Sequence, residues 1–387
     1  MGGTVAQHAA HARPTHRRAI VAGAAVVAVV AIGAGAAAAW SSATAAASCG
    51  GLAPAFATAL QAGIDDVRSA CAVERPRTSP SPSLPQADVP STTRASYAPV
   101  LADLATLPGQ ADPFAFCLDP DSADAAPSLS ETSAARLQEA RDAFAARGWD
   151  AGYLLVDLET GCGLAGNLDV TAYGASTFKA PYALYLCETQ LDTELAALDT
   201  PCFEAPATAF MDPTGTYLYD GLASYPLGTL IADSVTQSDN DSYRILRASY
   251  DAAGFSAWIA DRGLPASLTD DWFPTYSART SGMLWLLMAQ YLDGDAASAA
   301  WLSELLGQSE TSFLRNVLPP EATVRGKAGW YADDDPAFCG VCDAGIVSAG
   351  GRNFLVCAMS TAPFSADGQE LLENLLAAAF DARDDLG

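Results

Sequence analysis

The sequence predicts an α+β fold, in which an antiparallel sheet takes strands from both ends of a globular region and a helical lobe is inserted between them. Three observations carry this expectation. Short apolar runs stand early, at 152–157, and late, at 324–330, 344–349 and 353–359. The stretch between, 226–306, is mostly helical by periodicity. Apolar residues make up 50% of 387, enough to fill a substantial core.

Taken from the N-terminus, residues 1–18 carry Arg13, Arg17 and Arg18 and no acid. Residues 19–40 carry no charge and consist of Ala, Val, Ile and Gly ending in Trp40. A helix of that length spans a bilayer core of about 30 Å. The flanking arginines make 1–18 a cytoplasmic tail and 19–40 a single-pass transmembrane signal anchor in the cell membrane, with the rest extracellular. Small residues at 43–47 also suit signal cleavage, and Cys49 suits lipidation, so a secreted or lipid-anchored protein is the alternative. All three readings export the chain. Residues 41–128 read as an extracellular stalk: a weak helical pattern at 54–71, a Pro/Ser-rich spacer at 74–89, a short helical piece at 97–105, and an acidic loop at 111–127.

From 129 to 387 the texture is that of one folded domain. Ser130-Glu-Thr-Ser opens a capped amphipathic helix to Arg147. Residues 152–170 read as a hairpin turning at 159–163. A helix starts near Ala175 and runs through Cys187. After the helical middle, three closing strands precede a helix at 369–382.

Charge and composition exclude several functions. The formal net charge is −25, and the arginines of the tail make the remainder more acidic still. Such a field repels nucleic acid. Nine cysteines in an exported chain read as disulfides with at least one thiol left over. Cys49 with Cys71 and Cys187 with Cys202 are plausible local loops, and Cys357 in an apolar strand is the candidate buried thiol. Cys339-Gly-Val-Cys342 has the spacing of a zinc or redox pair. With no second pair and no histidine nearby, it reads as disulfide chemistry, and no metal is expected.

Two absences direct attention to lysine. Lys179 and Lys327 are the only lysines, the other 18 of the 20 basic side chains being arginine. The three histidines, His8, His11 and His16, all lie in the tail. Arginine does not give up its proton in proteins, whereas a buried lysine can serve as a base. Ser176-Thr-Phe-Lys179 puts a serine and a lysine one turn apart on one helix face. The helix N-terminus favours an alkoxide there, and a neutral Lys179 can take the Ser176 proton in place of histidine. Ser238-Asp239-Asn240 by itself is an ordinary helix cap. Lys327-Ala-Gly329 completes an order of three motifs.

Ser-x-x-Lys, then Ser-Asp-Asn, then Lys-x-Gly is the pattern of the penicillin-recognising serine enzymes. Residues 129–387 resemble the domain of class A β-lactamases and penicillin-binding proteins, most closely around 173–185 and 235–240. The resemblance implies a β-lactamase/transpeptidase-like fold and an exported serine hydrolase that forms an acyl-enzyme. Its substrate would be a β-lactam or an acyl-D-Ala-D-Ala-type cell-wall peptide. Ser176 would be the nucleophile, Lys179 its base, Ser238 the proton shuttle to the leaving nitrogen, and Lys327 the group that tunes it and attracts the substrate carboxylate. Asn240 would hold the acyl-side amide. Ala328, Gly329 and Trp330 would line the substrate, with the Ser176 and Trp330 amides as the oxyanion hole. No cofactor is implied, and a monomer is expected.

Two departures leave alternatives open. Ala328 replaces the hydroxyl residue of Lys-Thr-Gly, for which Arg325 or Arg352 can compensate. The Glu-x-x-Leu-Asn motif that serves deacylation is missing from 263–280, where Asp270 and Asp271 are the available carboxylates. A D-alanyl-D-alanine peptidase, or a non-catalytic penicillin-recognising sensor, is therefore the alternative to a lactamase.

Overall fold

The computed structural model describes residues 98–118, 127–203 and 224–387. The tail, the 19–40 span, and Cys49 with Cys71 lie outside the described residues. Among those described, no helix is long and apolar enough to cross a membrane.

The chain enters with α1 (Ala98–Thr106) and β1 (Phe114–Cys117), followed by α2 (Glu131–Ala145), β2 (Ala151–Asp157), β3 (Cys162–Gly166) and β4 (Thr171–Tyr173). The helical lobe holds α3 (Lys179–Leu186), β5 (Pro201–Phe203), β6 (Ser224–Pro226), α4 (Leu227–Thr236), α5 (Asn240–Tyr250), α6 (Phe255–Asp261) and β7 (Thr275–Ser277). Then come α7 (Ala278–Leu292), α8 (Ala299–Gly307), α9 (Phe313–Val317), β8 (Thr323–Tyr331), β9 (Gly340–Ala349), β10 (Arg352–Ser360) and α10 (Ala366–Asp381).

Six strands form one sheet in the order β1-β3-β2-β10-β9-β8, antiparallel throughout. An early strand, β2, and the last strand, β10, therefore meet at its centre, as the sequence predicts: Leu155 pairs with Val356 and Val156 with Leu355. Every residue of β2 is buried. Its side chains alternate, Leu154 and Val156 into one core, Tyr153 and Leu155 into the other. A strand covered on both faces needs a continuous apolar run, and β2 supplies it. The β9–β10 hairpin turns at Gly350 and Gly351, both with positive φ (60° and 82°), as a tight hairpin turn requires.

Helices cover both faces. α10 presents Leu371, Leu372, Leu375 and Leu376 to α2 and the sheet. Each such leucine contributes about 1.5–3 kcal/mol by burial. Ser130 caps α2 by accepting the Ser133 amide at 3.2 Å. On the other face α7 is buried almost all round, packed against β2, β10 and α3, and capped by Ser277.

Three expectations are corrected. The stalk does not extend to 128: α1 packs on α7, and β1 forms the sheet edge beside β3, from Phe114 opposite Ala165 to Cys117 opposite Cys162. A disulfide joins Cys117 to Cys162. Cys187 and Cys202 are separate buried thiols, and so are Cys339 and Cys342, which are not bridged. Cys342 points into the core beneath Tyr173 and Ser360, while Cys339 sits in the β8–β9 connection against the Asp333 and Asp335 carbonyls. Cys357 is the buried thiol that its apolar strand predicts.

Candidate active site

The start of α3 is held in place by the strand pair and turn before it. β4 pairs with β7, Tyr173 opposite Thr275, and the Gly174 amide donates to the Pro274 carbonyl at 3.0 Å. Ala175 follows with φ 45° although it carries a β-carbon. That conformation costs on the order of 1–3 kcal/mol and is kept because both sides are fixed. A 3₁₀ turn, Ala175–Phe178, then leads into α3. Thr177, beneath it, bonds the Gly174 carbonyl and the Tyr276 hydroxyl, each at 2.5 Å. Ser176 is thereby set half-exposed at the head of the helix.

Lys179 is 1% exposed. Its Nζ donates to the Ser238 carbonyl at 2.6 Å and to Asn240 Oδ1 at 2.5 Å, with Ser238 Oγ at 3.4 Å. The structure thus gathers the first two motifs around one lysine nitrogen. The turn between α4 and α5 explains how. The Gln237 and Asp239 amides both donate to the Asp233 carbonyl, ending α4. Ser238 takes φ 58°, and Asp239 caps α5 by accepting the Ser242 amide at 2.6 Å. Among the described residues the Ser176 hydroxyl makes no hydrogen bond, and the Lys179 amide donates to the Ser176 carbonyl.

β8 supplies the opposite wall. A β-carbon on Gly329 would meet the Gly174 carbonyl at 2.4 Å, the Thr177 nitrogen at 2.5 Å and the Ser176 nitrogen at 2.8 Å. Only glycine lets an edge strand lie this closely on the turn. Ala328 faces the second core and is fully buried, paired with Asp343. Trp330 packs edge-on to Phe313 and beside Phe364.

Lys327 is wholly buried, and its Nζ donates to the Ala328 carbonyl at 3.0 Å. Burial pulls its pKa down to about 7, against the opposing pull of Asp343. Asp343 is equally buried. Burial raises its carboxyl to about 6, while the Leu314 amide, the Ser312 hydroxyl and Lys327 act to lower it. Neither arginine that would compensate for Ala328 stands free for it. Arg352 is tied to Asp157 and the Gly387 carbonyl, and Arg325 reaches Ser348 at 3.4 Å.

A cleft of about 620 Å³ opens over Ser176 and Asn240. One wall is the loop 262–274. It is pinned at Trp272, whose carbonyl accepts from Tyr243 Oη (2.8 Å) and Arg247 Nη1 (3.0 Å). Burial pushes the Tyr243 hydroxyl up to about 12, so it remains a donor. Arg247 is itself buried against the Tyr182, Tyr243 and Phe255 rings and pairs with Asp251. Asp270 and Asp271, just before the pin, line the cleft. Motif reading missed Tyr173, Trp272 and Arg247. Arg247 does interrupt an apolar helical stripe of Tyr243, Leu246 and Tyr250, which was the available signal.

A family model described as the β-lactamase enzyme family matches residues 134–382. No curated protein sequence matches the chain. Among solved structures, PBP-A shares 22% identity over 65% of this chain and 97% of its own, with a TM-score of 0.55. A β-lactamase from Chitinophaga pinensis DSM 2588 gives 20%, 64% and 99%, with a TM-score of 0.55. An ancestral (GNCA) class A β-lactamase gives 19%, 64% and 99%, with a TM-score of 0.53. At these identities the likeness is one of fold.

Proposed function

The chain belongs to the β-lactamase enzyme family and is a β-lactamase-like serine hydrolase, and from that premise we propose that Ser176 forms an acyl-enzyme with β-lactams or with acyl-D-Ala-D-Ala-type peptides. The observation that carries the reading is the buried Lys179 amine on Ser238 and Asn240, one helical turn from Ser176. Ser176 Oγ attacks the amide carbonyl carbon and loses its proton to Lys179. The negative charge on the carbonyl oxygen is met by the Ser176 and Trp330 amides, each such donor being worth about 3–4 kcal/mol. Ser238 Oγ, 3.4 Å from Lys179 Nζ, hands a proton to the leaving nitrogen as the C–N bond breaks and takes the proton held by Lys179 in its place. A water then adds to the ester carbonyl, the bond from that carbon to Ser176 Oγ breaks, and the water's proton passes to Ser176 Oγ as the acid leaves. Lys327 attracts the substrate carboxylate, Asn240 holds the acyl-side amide, and Gly329 lets the substrate lie along β8. The domain acts outside the cell, held by the 19–40 anchor.

A second reading, a peptidase or receptor that stays acylated, is favoured by the loop 262–274, which lacks a Glu-x-x-Leu-Asn motif and offers only Asp270 and Asp271. A fluorescent penicillin tests the shared first step. Wild type should carry the label through denaturation and Ser176→Ala should not. Label on both proteins, or on neither, overturns the assignment.

A further inference from the structure

Trp330 and Tyr331 of β8 line the cleft, and Lys327 lies buried further back on the same strand. Lys327 lies on one side of Gly329, the residue that rests against the Ser176 amide, and Tyr331 on the other. At about 3.3 Å per residue, Lys327 and Tyr331 are roughly 13 Å apart, with the reacting centre between them. Beyond Tyr331 the character changes. Tyr173, Tyr331 and Phe338 stand together, with centroids 6.0 Å apart for Tyr173–Tyr331 and 5.8 Å for Tyr173–Phe338. Tyr331 and Phe338 are 48% and 50% exposed, more than rings held only for packing. Asp333, from the β8–β9 connection, and Asp270 with Asp271, from the loop before β7, line the same cleft. The charged residues among its lining are these three acids, and none is basic. Asp271 and Asp333 both act on the Tyr173 phenol, which places them about one ring group.

Rings alone would accept a neutral aryl group, and carboxylates alone would be a solvated rim. Carboxylates from two separate loops around a cluster of half-exposed rings suit a cation carried on an organic arm, which aromatic faces and acids attract together. We propose that this end of the cleft is a subsite for an organic ammonium group, so that the preferred substrate is an acyl donor whose acyl arm is positively charged. The proposal rests on Ser176 being the acylated residue. The Lys327 end then takes the substrate's carboxylate and the Asp271–Asp333 end its ammonium. A zwitterionic substrate is oriented by the two ends before it reacts.

The test uses three penicillins that share one nucleus and differ in the arm: aminomethylbenzyl, benzyl and carboxybenzyl. Second-order acylation rates are read by intact mass at pH 7, at low and high salt, on wild type and on the Asp271→Asn, Asp333→Asn double variant. Ratios are taken within each protein, so a general loss in the variant cancels. Wild type should prefer the ammonium arm over the carboxylate arm by roughly tenfold at low salt, the size expected of exposed charge pairs and cation–π contacts. Salt and the double variant should both shrink that ratio toward one. Equal rates for all three arms, or a preference untouched by salt and by the variant, overturns the subsite. Benzylamine against benzyl alcohol, followed by ligand-observed NMR on Ser176→Ala, probes the subsite without acyl chemistry. Weak benzylamine binding that the double Asn change removes supports the subsite, and equal binding of the two ligands overturns it. Absence of any adduct with ammonium binding retained sinks the acyl-serine reading alone.

Discussion

At the scale of single residues, the two lysines have separate environments. Lys179 sits among oxygens of Ser238 and Asn240. The base role proposed for it makes a sharp prediction, since arginine carries a charge and cannot accept a proton. Lys179→Arg should lose acylation by about 10²–10⁴-fold, the usual worth of a positioned base. Wild-type rates in that variant, measured by stopped flow with a reporter β-lactam, contradict the role. Lys327 is buried with its pKa near 7, against an unfolded value of about 10.4. Between those values the unfolded chain holds the extra proton and the folded one does not, so stability rises with pH across that window. Urea unfolding should show wild type gaining up to about 2–3 kcal/mol from pH 7.5 to 9.5 relative to Lys327→Met. A relative loss contradicts the burial account. Asp343, raised to about 6, works oppositely: the folded protein holds its proton longer, and stability falls as pH rises from about 4 to 6. The residues at positive φ were the least legible from sequence. Ala175 and Ser238 are ordinary residue types, and only the contacts around them fix their conformation.

At the scale of elements, the loop 262–274 decides the cleft's shape, and Arg247 in α5 decides the loop. Arg247→Met removes the donors to Trp272 and Tyr243 and leaves Asp251, about a third exposed, without its cation. The expected cost is about 2–3 kcal/mol, below the full value of a buried pair because Asp251 is partly solvated. Urea midpoints and the acylation rate should fall together. An unchanged midpoint would show that the loop is held some other way. Elements with strong local pattern were readable in advance: the capped α2, the β2–β3 hairpin, the helical lobe, the closing strands and the last helix. β4 and β7, three residues each, were not, because their only support is each other. β1 was hidden by its acidic, proline-containing flanks, and its place is set by the distant β3.

At the scale of the whole molecule, the sheet joins the ends of the domain, and the cleft forms where its edge strand meets the helical lobe. The order of the three motifs anticipated that meeting, because Gly329 must rest on the Ser176 turn for the sheet and lobe to close. The disulfide partners were not readable: Cys117 and Cys162 are 45 residues apart and become neighbours only through β1–β3 pairing. What the fold leaves to chemistry is the fate of the acyl group. Intact-mass measurement of the domain during exposure to benzylpenicillin tests the central claim most directly. The account predicts an adduct of one penicillin mass on wild type, absent from Ser176→Ala, with its decay reporting hydrolysis. Wild-type protein that never gains that mass would contradict it.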